Sequence, residues 1–230
     1  MVNPSEFITS GLLSSAMAAA PPGSGAGGPW DGARLLAAFL SSPTGVALLR
    51  GCAVLELGAG SHGLPSCIAA AVCGARCAIA TDRAAMLPAL AASLHAFQNG
   101  GGGGCGAPLL PLHAAALEFG GNLKRALGPA WGAPGAVDWL LLSELLSLSP
   151  ALFPALLKTV RDAAPRRGVL LAFRPREGFE GRFLEALAAE GFSAKEVRRG
   201  VHGKGGFVCT EAGLEGCDAV VVLAERGDGA

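Results

Sequence analysis

The sequence predicts an α/β fold: a Rossmann-like, doubly wound sheet of seven strands that ends in an antiparallel hairpin. Two observations support this prediction. Apolar runs of strand length alternate along most of the chain with segments whose apolar residues recur at helical spacing. The last two β-like runs, in contrast, are separated by a glycine-containing stretch without a helical pattern. Alternating elements build a parallel sheet, whereas a missing crossover helix makes the closing pair of strands antiparallel.

The elements follow from periodicity and from helix end signals. A helix is predicted from Trp30 to Leu40, with Asp31 as a favourable charge at its start. Strands are predicted at residues 52–57, 75–81, 108–113, 137–142, 168–173, 193–199 and 219–224. Helices are predicted at residues 64–73, 84–97, 150–163 and 178–190. Ser149 is suited to be the N-cap of the third of these, and Gly191 ends the fourth.

Length and composition limit the class of protein. The chain has 230 residues, and its 18 Lys and Arg balance its 18 Asp and Glu. We therefore expect one domain over residues 30–230 and no nucleic-acid partner. No apolar block has the length of a membrane span. Residues 1–29 are rich in small residues and lack the charges of a targeting signal, which predicts a flexible arm and a cytoplasmic protein. We also expect the protein to be a monomer.

The seven cysteines form no C-x-x-C pair, and most of them fall in segments predicted to be buried. An odd number of cysteines without metal-ligand spacing is typical of reduced thiols that pack in the core. The histidines have no acidic or cysteine partners at ligand spacing. The sequence thus predicts no metal site and no disulfide framework.

A glycine-rich loop follows the first strand, with Gly58, Gly60 and Gly63 in the spacing G-x-G-x-x-G. Glycine has no Cβ, so such a loop brings backbone N–H groups close to a ligand at the start of a helix. The loop therefore predicts a nucleotide-type cofactor. Its spacing matches the dinucleotide-binding fingerprint as closely as it matches any other cofactor motif. The spacing alone therefore does not show which cofactor binds.

Two acidic residues favour S-adenosylmethionine over NAD. Glu56, two positions before the first glycine, would repel a pyrophosphate but can pair with a cationic amino group, which S-adenosylmethionine carries. Asp82 ends the second strand, where an acid binds the ribose that both cofactors contain. An NAD-dependent oxidoreductase remains an alternative. A dehydrogenase would normally continue into a substrate domain, and a doubly wound sheet closed by a hairpin is instead the layout of class I methyltransferases.

Several short motifs also resemble, in order, those of the methyltransferase-16 family between about residues 30 and 200. They are Trp30-Asp31-Gly32-Ala33, Val54-Leu55-Glu56-Leu57-Gly58-Ala59-Gly60, Gly63-Leu64-Pro65, Thr81-Asp82-Arg83, Leu117-Glu118-Phe119-Gly120, Ser143-Glu144 and Ala172-Phe173-Arg174-Pro175-Arg176. That family consists of small class I enzymes that methylate lysine, or in some members histidine, on particular proteins. The resemblance implies S-adenosylmethionine as cofactor and a protein as substrate.

The resemblance also implies roles for individual residues. Trp30 matches a tryptophan at the methionine end of the cofactor, Phe119 an aromatic ring on the adenine, and Ser143 a cofactor contact at the end of strand four. The remaining implied cofactor contacts are Gly58, Ala59, Gly60 and Asp82. Glu144 resembles an acid that lines the substrate channel, where it would orient or deprotonate the incoming amine.

The chain departs from the family pattern in two places that bear on activity. Ser61-His62 adds one residue before Gly63, so the loop must bulge. Ser147 or Leu148 stands where the family has a tyrosine in the substrate channel. These departures leave open a catalytically weak paralogue that binds S-adenosylmethionine and serves as a binding module.

Overall fold

The computed structural model describes residues 30–100, 111–133, 135–175, 178–199, 201–203, 206–208 and 219–227. The predicted arm, residues 1–29, lies outside this part of the chain, as do Arg176 and Cys105. All nine residues that the sequence predicts at the site fall within it.

Helices and strands alternate as predicted. The helices are α1 (Asp31–Leu40), α2 (Pro43–Leu49), α3 (Leu64–Ala71), α4 (Leu87–Gly100), α5 (Leu123–Leu127), α6 (Phe153–Ala163) and α7 (Phe179–Ala189). The strands are β1 (Ala53–Leu57), β2 (Cys77–Asp82), β3 (Leu112–Ala116), β4 (Trp139–Ser143), β5 (Gly168–Phe173), β6 (Phe192–Arg199), β7 (Val201–Gly203), β8 (Gly206–Val208) and β9 (Val220–Arg226).

Seven of these strands form one sheet in the order β3-β2-β1-β4-β5-β9-β6. Strands β1 to β5 are parallel, whereas β9 runs antiparallel to both β5 and β6. The predicted fold class, a doubly wound sheet closed by an antiparallel hairpin, is confirmed. Strand order reverses between β1 and β4, and such a switch point opens a crevice at the carboxyl edge of the sheet.

Two apolar layers cover the sheet. On one face, α1, α3 and α4 pack on inward-facing residues such as Val54, Ala80 and Leu141. On the other face, α5, α6 and α7 pack on Leu55, Leu140 and their neighbours. Successive residues of β1 and β4 thus point to opposite layers, and every residue of both strands is buried. Strands buried on both faces explain the continuous apolar runs of the sequence.

The structure differs from the predicted elements mainly where elements are short. The periodicity did not predict α2, whose N-cap Ser42 accepts a hydrogen bond from the N–H of Gly45, or the five-residue α5. The predicted helix over 150–163 begins as a 3-10 turn at Pro150–Leu152 and becomes α-helical only at Phe153. Strands β7 and β8 pair with each other in the stretch that was predicted to be only a loop.

The four cysteines of the described chain are free thiols; Cys52, Cys67 and Cys73 are buried and Cys77 is partly buried. Burial raises the pKa of Cys73 to about 12. These thiols pack in the core, as predicted. None of the described helices is by itself long and apolar enough to cross a membrane; α1 and α2 reach that composition only as a pair bent by 83°.

A charged cluster around Asp138 joins four strands at the amino edge of the sheet. One carboxylate oxygen of Asp138 accepts the N–H of Ala53 at 2.8 Å and contacts Arg76 at 3.2 Å. The other accepts the Nε–H of Arg166 at 2.8 Å. Burial acts to raise the pKa of Asp138, but the Ala53 N–H and the Arg166 guanidinium outweigh it, so the pKa is lowered.

We predict that Asp138→Asn lowers the free energy of unfolding at pH 7 by about 1–2 kcal/mol, because the two arginines that lose a charged partner are partly exposed. Because the pKa of Asp138 is lower in the folded protein than in the unfolded chain, its carboxylate stabilises the fold at pH values above the unfolded pKa of about 4. This stabilisation is lost as the pH falls through the pKa of the folded state. In urea unfolding the two proteins should therefore differ at pH 7, and the difference should shrink as the pH falls below about 4. Glu225→Gln, which breaks an exposed pair with Lys195, serves as the control and should shift the midpoint little.

Candidate functional site

A cleft of about 590 Å³ opens at the carboxyl edge of the sheet, on both sides of the switch point. The segments that follow β1, β2, β3 and β4 all reach it, and α1 and the start of α6 complete its walls. Eight of the nine predicted site residues line this cleft: Trp30, Gly58, Ala59, Gly60, Asp82, Phe119, Ser143 and Glu144. The parallel sheet thus brings together residues that are far apart in sequence.

The glycine-rich loop has the conformation that its glycines permit. Gly58, Gly60 and Gly63 have φ of +68°, +63° and +57°, all in the left-handed region. A Cβ on Gly60 would meet no atom within 4 Å, because this part of the loop faces the open cleft. A Cβ on Gly58 would lie 2.4 Å from Leu145 Cδ2, so that glycine is needed for packing against the segment after β4.

The additional residue before Gly63 is accommodated in a turn. The N–H of Gly63 donates to the carbonyl of Ala59 at 3.1 Å. This hydrogen bond closes a turn that contains Gly60, Ser61 and His62. Ser61 and His62 are both buried, and both line the cleft. The extra residue is therefore part of the cleft wall and not a loop extended into solvent.

Glu56 lies beneath the loop and outside the set of residues that line the cleft. Its Oε2 accepts hydrogen bonds from the N–H of Ser66 at 3.0 Å and from the Ser66 hydroxyl at 2.6 Å. Glu56 is fully buried, and its Oε1 has no hydrogen-bond partner among the described residues. Its contact with an amino group of the cofactor stays a prediction; in this structure the carboxylate anchors the first turn of α3.

Asp82 holds the loop from the neighbouring strand. One carboxylate oxygen accepts the N–H of Gly60 at 2.8 Å, and the other accepts the N–H of Arg83 at 2.7 Å. The Asp82 side chain is 13% exposed. Each carboxylate oxygen has a second lone pair, so the group can still accept hydrogen bonds from a ligand in the cleft. Asp82 thus combines a loop contact with the position that the sequence predicts for a ribose acid.

The segment after β3 supplies the far wall of the cleft. The N–H of Leu117 donates to the carbonyl of Asp82 at 2.8 Å, which fixes the segment beside the end of β2. The N–H of Gly120 then donates to the Thr159 hydroxyl of α6 at 2.7 Å. Phe119, between them, is half-buried and packs on the core layer that contains α5 and α6.

Glu144 connects the end of β4 to the first turn of α1. Its Oε1 accepts the N–H of Gly32 at 2.8 Å, and the side chain is buried. Trp30, the N-cap of α1, makes no side-chain capping bond, so Glu144 supplies this cap from another part of the chain. The Glu144 backbone has φ +58°, an uncommon value for a non-glycine residue, and is held there by its N–H bond to Ala172 at 2.7 Å.

The mouth of the cleft is apolar. Trp30, Leu148 and Leu152 are 66%, 42% and 41% exposed, and all three line the cleft. Ser147 donates its hydroxyl to the Glu144 carbonyl at 2.5 Å. Arg174, at the end of β5, forms an ion pair with Asp31 instead of extending freely into solvent. Its sequence neighbour Arg176 lies outside the described residues.

Sequence reasoning missed several residues of the cleft wall. They are Ala33, Leu64, Arg83, Met86, Leu117, Leu145, Leu152 and Ala155. Most of them directly follow a strand or belong to the helix after it. Their position after the end of a strand is therefore the sequence feature that could have identified them. Leu152 and Ala155 enter from the helix that was predicted only as a covering element.

A family model described as lysine methyltransferase matches residues 21–190. The chain belongs to the methyltransferase-16 family. The match confirms the family that the short motifs resemble, and it decides the ambiguity of the glycine spacing in favour of a methyltransferase. No curated protein sequence matches the chain.

Solved methyltransferase structures share the fold at low sequence identity. An O-methyltransferase family protein from Burkholderia thailandensis has a TM-score of 0.57 at 11% identity, with 86% of this chain and 56% of that chain covered. Precorrin-6y C5,15-methyltransferase from Geobacter metallireducens has a TM-score of 0.52 at 14% identity, with 79% and 84% covered. The CurJ carbon methyltransferase has a TM-score of 0.52 at 16% identity, with 78% of this chain and 50% of that chain covered. This chain thus spans about half the length of the first and third. These likenesses establish the class I methyltransferase fold and say nothing about substrate.

We predict that Glu56 makes stability depend on pH. Burial raises the pKa of Glu56 to about 7, with a contribution from the charge of Asp82, although the two Ser66 hydrogen bonds oppose the shift. At pH values between the ordinary pKa of 4.5 and the folded-state pKa of about 7, Glu56 takes up a proton when the protein folds. The free energy of unfolding therefore falls as the pH rises through this window. Glu56→Gln should remove up to about 3 kcal/mol of this fall.

The measurement is urea unfolding of wild type and Glu56→Gln at pH 5, 6, 7 and 8. The variant should gain stability relative to wild type as pH rises and the difference should level off above pH 7. Ser66→Ala provides the matched control, because it removes the hydroxyl hydrogen bond that favours the charged carboxylate and keeps the backbone N–H bond. A constant difference between wild type and Glu56→Gln across this range would contradict the prediction.

Proposed function

We propose that this chain is an S-adenosylmethionine-dependent N-methyltransferase that modifies a lysine, or a histidine, side chain of a particular protein. The observation that carries the proposal is the single cleft in which the glycine-rich loop, Asp82 and Glu144 meet, in a member of the methyltransferase-16 family. The proposed enzyme acts as a cytoplasmic monomer.

The residues of the cleft fit the cofactor. Asp82 offers acceptor oxygens for ribose hydroxyls, and the half-buried Phe119 offers a ring face for adenine. Gly60 leaves space where a Cβ would otherwise point into the cleft. Among the described residues, no lysine lines the cleft and Arg83 is its one lining arginine, 4.0 Å from the Asp82 carboxylate. This charge distribution suits a cofactor without phosphate groups better than a dinucleotide.

The bound cofactor would supply a methyl group on a sulfonium, which is already a good leaving group. The protein therefore has to position an unprotonated nitrogen, and orientation provides most of the rate. Glu144 is buried at the end of β4 and lines the cleft, so its carboxylate can orient an amine or receive its proton. Ser143, the residue before it, also lines the cleft, where it would contact the cofactor.

The rim supports a protein as the source of this nitrogen. Trp30, Leu148 and Leu152 place exposed apolar side chains around the mouth of the cleft. Exposed large apolar side chains that cluster in this way are typical of sites that contact another macromolecule. A balanced net charge gives no reason to expect nucleic acid there.

One observation favours a second candidate function. Ser147 and Leu148 line the cleft where the family carries a tyrosine. Among the described residues, the aromatic side chains that line it are therefore those of Trp30 and Phe119. A substrate channel with fewer aromatic walls holds an amine less rigidly. A cofactor-binding module with little or no transfer activity is therefore the alternative that an assay has to separate from the enzyme.

The deciding experiment measures binding and transfer on the same protein. We predict that wild type binds S-adenosylhomocysteine and not NAD in isothermal titration. It should also transfer a labelled methyl group to a discrete protein in a cell lysate. Asp82→Asn, which keeps the size of the side chain and removes its charge, should weaken binding about tenfold. Binding without labelled protein would favour the module, and binding of NAD alone would contradict the proposal.

We predict that Glu144→Gln lowers the rate of transfer by 100-fold or more, which is the usual size of an acid–base contribution. The amide oxygen can still accept the Gly32 N–H, so cofactor affinity should stay within about threefold of wild type. Single-turnover rates measure transfer, and titration with S-adenosylhomocysteine measures binding. Glu144→Ala is the matched comparison that also removes the cap of α1. Full activity of Glu144→Gln would remove this residue from the reaction.

A further inference from the structure

The first turn of α1 is held to the ends of β4 and β5 by two side-chain contacts. The Asp31 carboxylate forms an ion pair with the Arg174 guanidinium, which directly follows β5. The N–H of Gly32 donates to Glu144 Oε1 at 2.8 Å. These contacts join residues that are 143 and 112 positions apart in the sequence. Because consecutive residues of α1 make them, both contacts act on the same turn.

The two strand ends are also bonded to each other beneath this turn. The N–H of Glu144 donates to the carbonyl of Ala172 at 2.7 Å, and Ala172 lies two positions before Arg174. A Cβ on Gly32 would lie 2.7 Å from Glu144 Oε1 and 2.9 Å from the Ala172 carbonyl oxygen. The start of α1 therefore touches both strand ends directly. A shift of this turn would move the N–H of Gly32 away from the Glu144 carboxylate.

The ion pair between Asp31 and Arg174 is partly shielded from water. The Asp31 side chain is 22% exposed and that of Arg174 is 33% exposed. Salt screens partly buried pairs less than fully exposed ones. The negative charge of Asp31 also lies in the first turn of α1, where the helix dipole favours it. Neither residue is among those that line the cleft, so the pair would act on the cleft only through α1.

Two residues that do line the cleft depend on the position of this turn. Trp30 directly precedes Asp31, and its side chain is exposed at the mouth of the cleft and makes no capping bond. An exposed side chain has few contacts of its own that hold it in place, so the position of Trp30 follows that of α1. Glu144 is linked to the same turn by its bond to the Gly32 N–H.

We propose that Asp31 and Arg174 are positioning residues for methyl transfer, because their ion pair fixes the first turn of α1 and thereby the Glu144 carboxylate. The inference rests on the proposed function, since it takes Glu144 as the group that meets the incoming amine. A displacement of about 1 Å can lower a rate about 100-fold. A loosened turn therefore slows transfer without removing the carboxylate that takes part in it.

Single-turnover transfer at saturating S-adenosylmethionine tests this role. Asp31→Asn and Arg174→Gln should each lower the rate about tenfold, with the affinity for S-adenosylhomocysteine within about threefold of wild type. Arg174→Lys keeps the positive charge and should recover part of the lost rate. In a Glu144→Gln background, Asp31→Asn should lower the rate further by less than about twofold, because the pair acts through Glu144.

Fluorine NMR follows the same turn without any need for activity. The chain contains three tryptophans, so protein labelled with 5-fluorotryptophan gives three signals, and Trp30→Phe assigns one of them. Asp31→Asn and Arg174→Gln should shift the Trp30 signal and leave the other two in place. Arg174→Lys should return the Trp30 signal toward its wild-type position.

Glu190→Gln is the matched control, because it breaks an ion pair with Arg161 that joins α6 to the end of α7. It should change neither the transfer rate nor the Trp30 signal.

The outcomes separate this proposal from the proposed function. An unchanged Trp30 signal in both Asp31→Asn and Arg174→Gln would overturn the positioning role, whether or not the protein transfers a methyl group. An equal loss of rate from Asp31→Asn in the wild-type and Glu144→Gln backgrounds would show a general structural effect and would overturn it as well. Wild type that transfers no methyl group would overturn the proposed function, and the Trp30 signal then decides by itself whether the pair holds α1.

Discussion

Carboxylates that accept backbone N–H groups from neighbouring segments hold this protein in its functional shape. Glu56 is the penultimate residue of β1, Asp82 ends β2 and Glu144 follows β4. They accept the N–H of Ser66, Gly60 and Gly32, respectively. Each of these bonds satisfies a backbone N–H that would otherwise lack a partner where water is excluded. They orient the glycine-rich loop and the helices α1 and α3 toward one cleft. Asp138 does the same for β1 at the opposite edge of the sheet.

The parallel sheet explains why these carboxylates gather at one place. All strands from β1 to β5 point the same way, so the segments after them emerge at one edge. The order reverses between β1 and β4, which keeps the following loops apart and leaves the crevice open. Helix α1 closes the crevice because its first turn is capped by Glu144, which itself lines the cleft.

The same arrangement links stability to the chemistry. Glu56 is buried without a cation and is most easily accommodated as a neutral acid, whereas Glu144 is held in a left-handed backbone conformation at the end of β4. Both features are costly for the fold. Glu144 lines the cleft, and Glu56 lies beneath the loop that forms one of its walls. The His62 Nε2 is a further buried polar atom at the cleft that lacks a hydrogen-bond partner in the described chain. A cleft built from such groups gains stability when an adenosyl ligand occupies it.

The sequence by itself determined the fold class, the family and most of the cleft, because strand runs, single glycines and acids after strands are local signals. The sequence could not show that Glu56 lies beneath the loop, because the direction of its side chain depends on Ser66, ten residues away in α3. Nor could it show that Glu144 caps α1, a contact between residues 112 positions apart. Local patterns identify elements, but the orientation of side chains between elements is decided by tertiary packing.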